Sequence, residues 1–118
     1  MKPRKQRSYY FGIMAERAAI FWLMLKGYRL VAQRYKSPFG EIDIIMKKRN
    51  TIIFVEVKAR NNSINNHDLI STTQQKRITR AGLNYIQQHP QLHQYALRFD
   101  AIFVIKYIKI KHITNAWQ

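Results

Sequence analysis

The stretch from Gly40 to Arg60 limits what this chain can fold into more than any other, because it reads as one β-hairpin and holds three of the protein's six acids. It runs Gly40-Glu41-Ile42-Asp43-Ile44-Ile45-Met46, then a polar Lys47-Lys48-Arg49-Asn50, then Thr51-Ile52-Ile53-Phe54-Val55-Glu56-Val57-Lys58-Ala59-Arg60. Both arms are rich in β-branched residues, and the basic, Asn-containing break between them has the composition of a turn. Side chains alternate faces along a strand. Ile52, Phe54, Glu56 and Lys58 are therefore expected on one face, with Ile53, Val55 and Val57 on the other. In the first arm Glu41, Asp43 and Ile45 should oppose Ile42, Ile44 and Met46.

A turn centred on Arg49-Asn50 sets Asp43 opposite Glu56 and Glu41 opposite Lys58. Opposed Cβ atoms of an antiparallel pair lie about 4.5–5.5 Å apart, and like charges so placed are destabilising. A divalent cation between the carboxylates would remove the conflict, since Mg²⁺ takes one or two protein carboxylates and keeps several waters. The bland alternative is a solvated face with a weak ion pair. Scarcity argues against it: six acids stand against 21 Lys and Arg, and half of them sit in this hairpin.

Gly-Glu-Ile-Asp, followed after a hairpin by Phe-Val-Glu-Val-Lys-Ala-Arg, resembles the core motif of the PD-(D/E)XK nuclease superfamily. More narrowly the chain is similar to the bacterial YraN family, proteins with a Holliday-junction-resolvase-like or restriction-endonuclease-like core. Gly12 with Ala15-Glu16, Gly27-Tyr28, Lys76-Arg77-Ile78, Arg98-Phe99-Asp100 and Asn115-Ala116-Trp117 carry the likeness from about Gly12 to Trp117. Ile42 stands where the superfamily's name has Pro, as the YraN pattern has it. The resemblance implies a metal site built from Asp43 and Glu56, with the Val57 carbonyl as a further oxygen ligand. It also implies that Lys58 orients the attacking water or stabilises charge on the phosphate. Glu16, matching a helix-one Glu of resolvase-like relatives, becomes an accessory ligand beside Glu41. Its bland alternative is an ion pair with a neighbouring base.

Composition points the same way. A net charge of +15 and a pI near 10.5 favour polyanionic partners, nucleic acid ahead of anionic membrane. With no cysteine, disulfides and thiol chemistry are excluded. The basic start followed by apolar Ala18–Leu25 mimics a signal peptide, but Glu16 and Arg17 interrupt it and no small-residue cleavage site follows. Eight apolar residues cannot span a bilayer either. A buried helix in a cytoplasmic protein is the expectation.

Length predicts one domain over 10–118 behind a basic tail, 1–9, which either frays or lies along a phosphate backbone. Apolar spacings predict a first helix over Tyr10–Lys26, with Gly27 just past its end. Tyr28–Ser37 reads as the first strand, the hairpin as the second and third, and Asn61–Asp68 as a polar loop. Ser71-Thr72-Thr73 offers caps for a second helix carrying Ile78, Ala81, Gly82, Tyr85 and Ile86, which Pro90 stops. Lys76, Arg77 and Arg80 crowd its start, and in the nuclease superfamily that start faces the active site. These three and Arg60 are the candidates for contact with substrate phosphate. Ala101–Tyr107 reads as the fourth strand, with Asp100 at its mouth in a structural role, and Ile108–Thr114 as an edge strand. His67, His89, His93 and His112 show no metal spacing and read as surface residues.

The expected fold is an α/β sandwich in the order αβββαβ(β) around a mixed sheet, a restriction-endonuclease-like core. The expected function is phosphodiester hydrolysis on DNA with Mg²⁺ or Mn²⁺, DNA being favoured over RNA. Cutting both strands of a junction would require two active sites, hence a homodimer. The alternatives are a module that keeps the nuclease fold and binds nucleic acid without cutting it, and a basic ribosome- or membrane-associated protein with no active site.

Overall fold

The computed structural model describes residues 4–60, 70–106 and 109–117, with side chains from Tyr10 onward. Helix α1 (Arg4–Leu25) precedes strands β1 (Arg29–Lys36), β2 (Glu41–Lys48) and β3 (Thr51–Arg60). Helix α2 (Thr72–Gln87) and a 3₁₀ turn (Pro90–Leu92) follow, then β4 (Ala96–Ile105) and β5 (Lys109–Trp117). The strands lie side by side in chain order. All neighbours are antiparallel except β3 and β4, which pair in parallel across the α2 crossover. The result is the expected α/β fold with a mixed sheet and a helix against each face.

Alternation along β3 builds the two cores. Ile52 and Phe54 pack with Ile78, Ala81 and Tyr85 of α2 and with Phe99 and Phe103 of β4. Ile53 and Val55 pack on the other side with Ala15, Ala19 and Leu23 of α1 and with Ile102 and Val104. A strand buried on both faces is written as a near-continuous apolar run, which is how Ile52–Val55 reads. At the end of α1 the Gly27 amide donates to the Met24 carbonyl and the Tyr28 amide to Leu23, both at 3.0 Å. This Schellman arrangement needs the left-handed backbone that Gly27 adopts at φ +95°. It also delivers Tyr28 to the same core as Leu23.

Gly82 is where α2 approaches the sheet most tightly. A Cβ there would meet the Phe54 and Phe99 rings at 3.2 Å, and those rings stack with centroids 5.2 Å apart. Gly82→Val is therefore expected to cost about 1–3 kcal/mol by overpacking, read as a lower urea midpoint at unchanged slope.

Several boundaries differ from expectation. α1 starts at Arg4 rather than Tyr10, so part of the supposed tail is helical; Arg, Lys and Gln are good helix formers and extend it without an apolar stripe. β4 starts at Ala96 rather than Ala101, because parallel pairing with β3 begins at Thr51↔Ala96 and draws Arg98-Phe99-Asp100 into the ladder. The loop expected over Asn61–Asp68, with His67, lies outside the described residues. Among the described residues β5 pairs with β4 alone and is an edge strand, as its alternation predicts.

Candidate active site

The β2–β3 register runs from Lys48↔Thr51 to Ile44↔Val55 around Arg49-Asn50, with Arg49 at φ 54°. The next step of that register brings Asp43 to Glu56. There the ladder gives way to a side chain: Oδ2 of Asp43 accepts the Val57 amide at 2.8 Å. On the other flank Gln33 pairs with Ile44 and Tyr35 with Ile42, so Arg34 lies across from Asp43. Arg34 adopts a left-handed φ of 50°, a conformation unusual for a residue with a Cβ. Both strands slip a face at this point. Ile44 and Met46 belong to the α1-side core, but Ile42 joins Ile45 in the α2-side core. Strict alternation, which set Ile42 with Ile44, fails because Arg34 and Asp43 together interrupt the pleat.

Glu56 is buried, and its Oε1 takes two donors, Lys58 Nζ at 3.2 Å and Gln74 Nε2 at 3.0 Å. Burial pushes the Asp43 carboxyl up to about 7; the charges of Glu56 and Glu16 push the same way, and the Val57 amide and Lys58 only partly oppose them. Glu56 is also raised, chiefly by burial and against the pull of Lys58. Neither acid is comfortable ionised beside the other in so dry a place. Both face a cleft of about 480 Å³ between the hairpin and the start of α2, which Gly40, Glu41, Gln74 and Arg77 also line. Gly40 admits this closeness, since a Cβ there would lie 3.2 Å from the Cβ of Arg77.

The remaining candidates fall in different places. Glu16 pairs with Arg34 at 3.3 Å, the ion pair with a base that was its bland alternative. It lines a separate hollow with Arg17 and Gln33, while its charge still acts on Asp43 and Glu56. Glu41 is exposed on the cleft rim; it aligns with Lys36 of β1, and Lys58 pairs with Glu56 instead. Of the three cations on α2, Arg77 lines the cleft, while Lys76 and Arg80 are exposed away from it. Arg60, at the end of β3, donates to the Ala59 carbonyl and stands 6.0 Å from the Phe103 ring centre. Among the described residues no group of three or more His, Asp or Glu gathers as metal ligands. The site is a pair of acids.

Gln74 escaped sequence reasoning. Ser71-Thr72-Thr73-Gln74 is a capping-box pattern, in which the Gln side chain returns to the cap residue's own amide. Half of that box forms, with Ser71 Oγ accepting the Gln74 amide at 3.1 Å. The side-chain amide goes to Glu56 instead.

A second polar cluster lies on the α1 side of the sheet. Asp100 is fully buried and receives Arg98 at 2.9 and 2.8 Å, His112 Nε2 at 2.8 Å and the Asn115 amide at 3.0 Å. Burial alone would raise its proton affinity; the donors from His112, Arg98 and Asn115 reverse this and hold the carboxyl below its usual range. The structural role expected for Asp100 is therefore borne out. His112 is not a surface residue: its side chain is 3% exposed, locked between Asp100 and an edge-on Trp22. His89 is half-buried rather than on the surface: four residues past Tyr85 at the end of α2, its ring stacks on that ring and its Nδ1 lies 2.7 Å from the Tyr85 carbonyl oxygen. His93 is exposed, as expected.

A mixed five-stranded sheet with one helix on each face, and a pair of acids (Glu56 buried, Asp43 half-buried) with a lysine at its central hairpin, define an α/β protein compatible with a restriction-endonuclease-like core. The chain belongs to the family described as "Uncharacterised protein family UPF0102", whose model matches residues 15–104. It is 39% identical over 116 residues to a UPF0102 protein of Bradyrhizobium diazoefficiens, covering 98% of this chain and 87% of the relative. It is 36% identical over 111 residues to one from Nitrobacter winogradskyi, covering 94% of each chain. The family drawn from the YraN-like motifs is thereby shown. Among the described residues no helix is long and apolar enough to cross a membrane.

Proposed function

We propose that the protein is a divalent-metal-dependent nuclease that hydrolyses phosphodiester bonds in DNA, with branched or otherwise structured DNA as the favoured substrate. The observation that supports this most is the meeting of half-buried Asp43 and buried Glu56 on an open cleft in a chain of net charge +15. Such a pair is unfavourable for folding, and the donor set suits a hard cation. The Val57 amide holds Oδ2 of Asp43, Lys58 and Gln74 hold Oε1 of Glu56, and the two carboxyl groups hydrogen-bond to each other, a contact that a bridging cation would replace. Mg²⁺ or Mn²⁺ held there would neutralise the pair and supply Lewis-acid activation of water.

The chain's own groups have separable roles. Gln74 fixes the rotamer of Glu56. Lys58 sets a positive charge beside the acids, where negative charge grows on a phosphate in the transition state. Arg77 stands at the rim of the same cleft for the flanking phosphate. The rest of the basic surface contributes sequence-independent affinity through counterion release.

Branched, flapped and single-stranded DNAs incubated with Mn²⁺ or with EDTA provide the test. Products that need the metal and fall about 100-fold or more in Lys58→Ala, with folding unchanged by circular dichroism, are the expected result. Tight, salt-sensitive binding without products in any metal would leave a non-catalytic binding module. Binding indifferent to salt would remove nucleic acid as the partner.

A further inference from the structure

We propose that the outward face of α1 is the docking site for a second copy of this chain, the two helices lying antiparallel about a twofold axis. Tyr10, Met14, Phe21, Met24 and Leu25 all sit on this helix and remain between 47% and 70% exposed. Their spacings of four, seven, three and one residues place them on a single stripe. That stripe is diametrically opposite the buried Ala15, Ala19 and Leu23. A helix apolar on two opposite sides is a helix made to be covered twice, and the sheet covers only one.

The stripe fits itself. In a twofold interface residue i meets j while j meets i. Antiparallel pairing sets Tyr10 against Leu25 and Met14 against Phe21, and both pairs share one midpoint, between Arg17 and Ala18. A parallel pair would instead bring the basic first turns, with Arg4, Lys5 and Arg7, side by side, and align the two helix dipoles. Side chains of this size, exposed to this degree, offer about 600 Å² per copy. The pair would bury about 1,200 Å², the lower edge of specific interfaces.

Charge opposes the association. Each copy carries +15, and Arg17 stands near the axis. Salt should therefore strengthen the dimer, the reverse of its effect on nucleic-acid binding.

The full chain, which contains no cysteine, allows a direct test. Sedimentation equilibrium is expected to show a monomer–dimer equilibrium that tightens with salt. Phe21→Glu and Met14→Glu should each weaken it at least tenfold with little change in Tm, since both positions are exposed. Oxidising a mixture of Met14→Cys and Phe21→Cys chains should give the mixed disulfide, with neither variant linking to itself, because only that pairing meets across the axis. A monomer at every concentration and salt overturns the proposal, as does self-linking of Met14→Cys. So does a monomer that binds anionic phospholipid vesicles and loses them in Phe21→Glu, which would assign the stripe to a lipid surface.

Discussion

Asp43→Asn is expected to stabilise the fold at pH 8 by about 2–4 kcal/mol, while abolishing metal-dependent cleavage. The sign follows from where the proton sits. Asp43 titrates at 3.8 when unperturbed and at about 7 in the folded protein, so between those values the native state holds a proton that the unfolded chain has lost. Stability drawn from this group is present below the lower value and drains away as pH rises through the upper one. Asn cannot ionise, yet its carbonyl can still accept the Val57 amide and its NH₂ can donate to Glu56. Urea unfolding across pH 4–8 should show wild-type stability falling along that interval, with the variant much flatter. Millimolar Mg²⁺ or Mn²⁺ should raise the wild-type Tm at pH 8 by mass action and leave the variant unmoved. A variant less stable than wild type at pH 8 would mean that the acids are not in conflict, and the metal proposal would lose its physical basis.

Asp100→Ala is expected to have the opposite outcome, a loss of about 3–5 kcal/mol, since removing one partner of a buried ion pair strands the other. The Arg98 guanidinium, His112 Nε2 and the Asn115 amide would all lose their acceptor in a site with no exposure at Asp100. Because these contacts tie β4 to β5, the edge strand should show amide exchange before the rest of the sheet. Asp100→Asn, which keeps an acceptor but not the charge, should fall between. The pH dependence also reverses. A carboxyl held below its usual range contributes above its unperturbed value of 3.8 and loses that contribution only as pH falls further. Two aspartates on one sheet, one half-buried and one fully buried, therefore bear opposite relations to stability: Asp43 opposes the fold near neutral pH and Asp100 supports it.

That difference was half legible in the residues. The rarity of acids marked the hairpin, and the Arg49-Asn50 turn set a register that holds from Lys48↔Thr51 to Ile44↔Val55. The periodicity of Ile78, Ala81 and Tyr85 and the Gly27 terminus were local signals and held as well. Ile42 was not legible. Its face depends on a left-handed residue in the adjacent strand, and no alternation rule sees across a pair of strands. Gln74 was not legible either: its backbone amide goes to the Ser71 cap, as the local pattern allows, but its side chain is claimed by Glu56 from another element. His112 looked superficial in an alternating edge strand, and only Asp100, Arg98 and Trp22, brought together from β4 and α1, make it interior.

The chain by itself determined which segments become helix and strand, how the hairpin registers, and that its few acids concentrate there, because backbone preference, turn chemistry and side-chain period act over a handful of neighbouring residues. Tertiary structure alone decided that Asp43 leaves the pleat to hold the Val57 amide, that Gln74 and Lys58 converge on one oxygen of Glu56, and that α1 keeps a second apolar stripe uncovered. Those outcomes depend on how strands and helices distant in sequence share space, hydrogen bonds and a low dielectric, which no single stretch encodes.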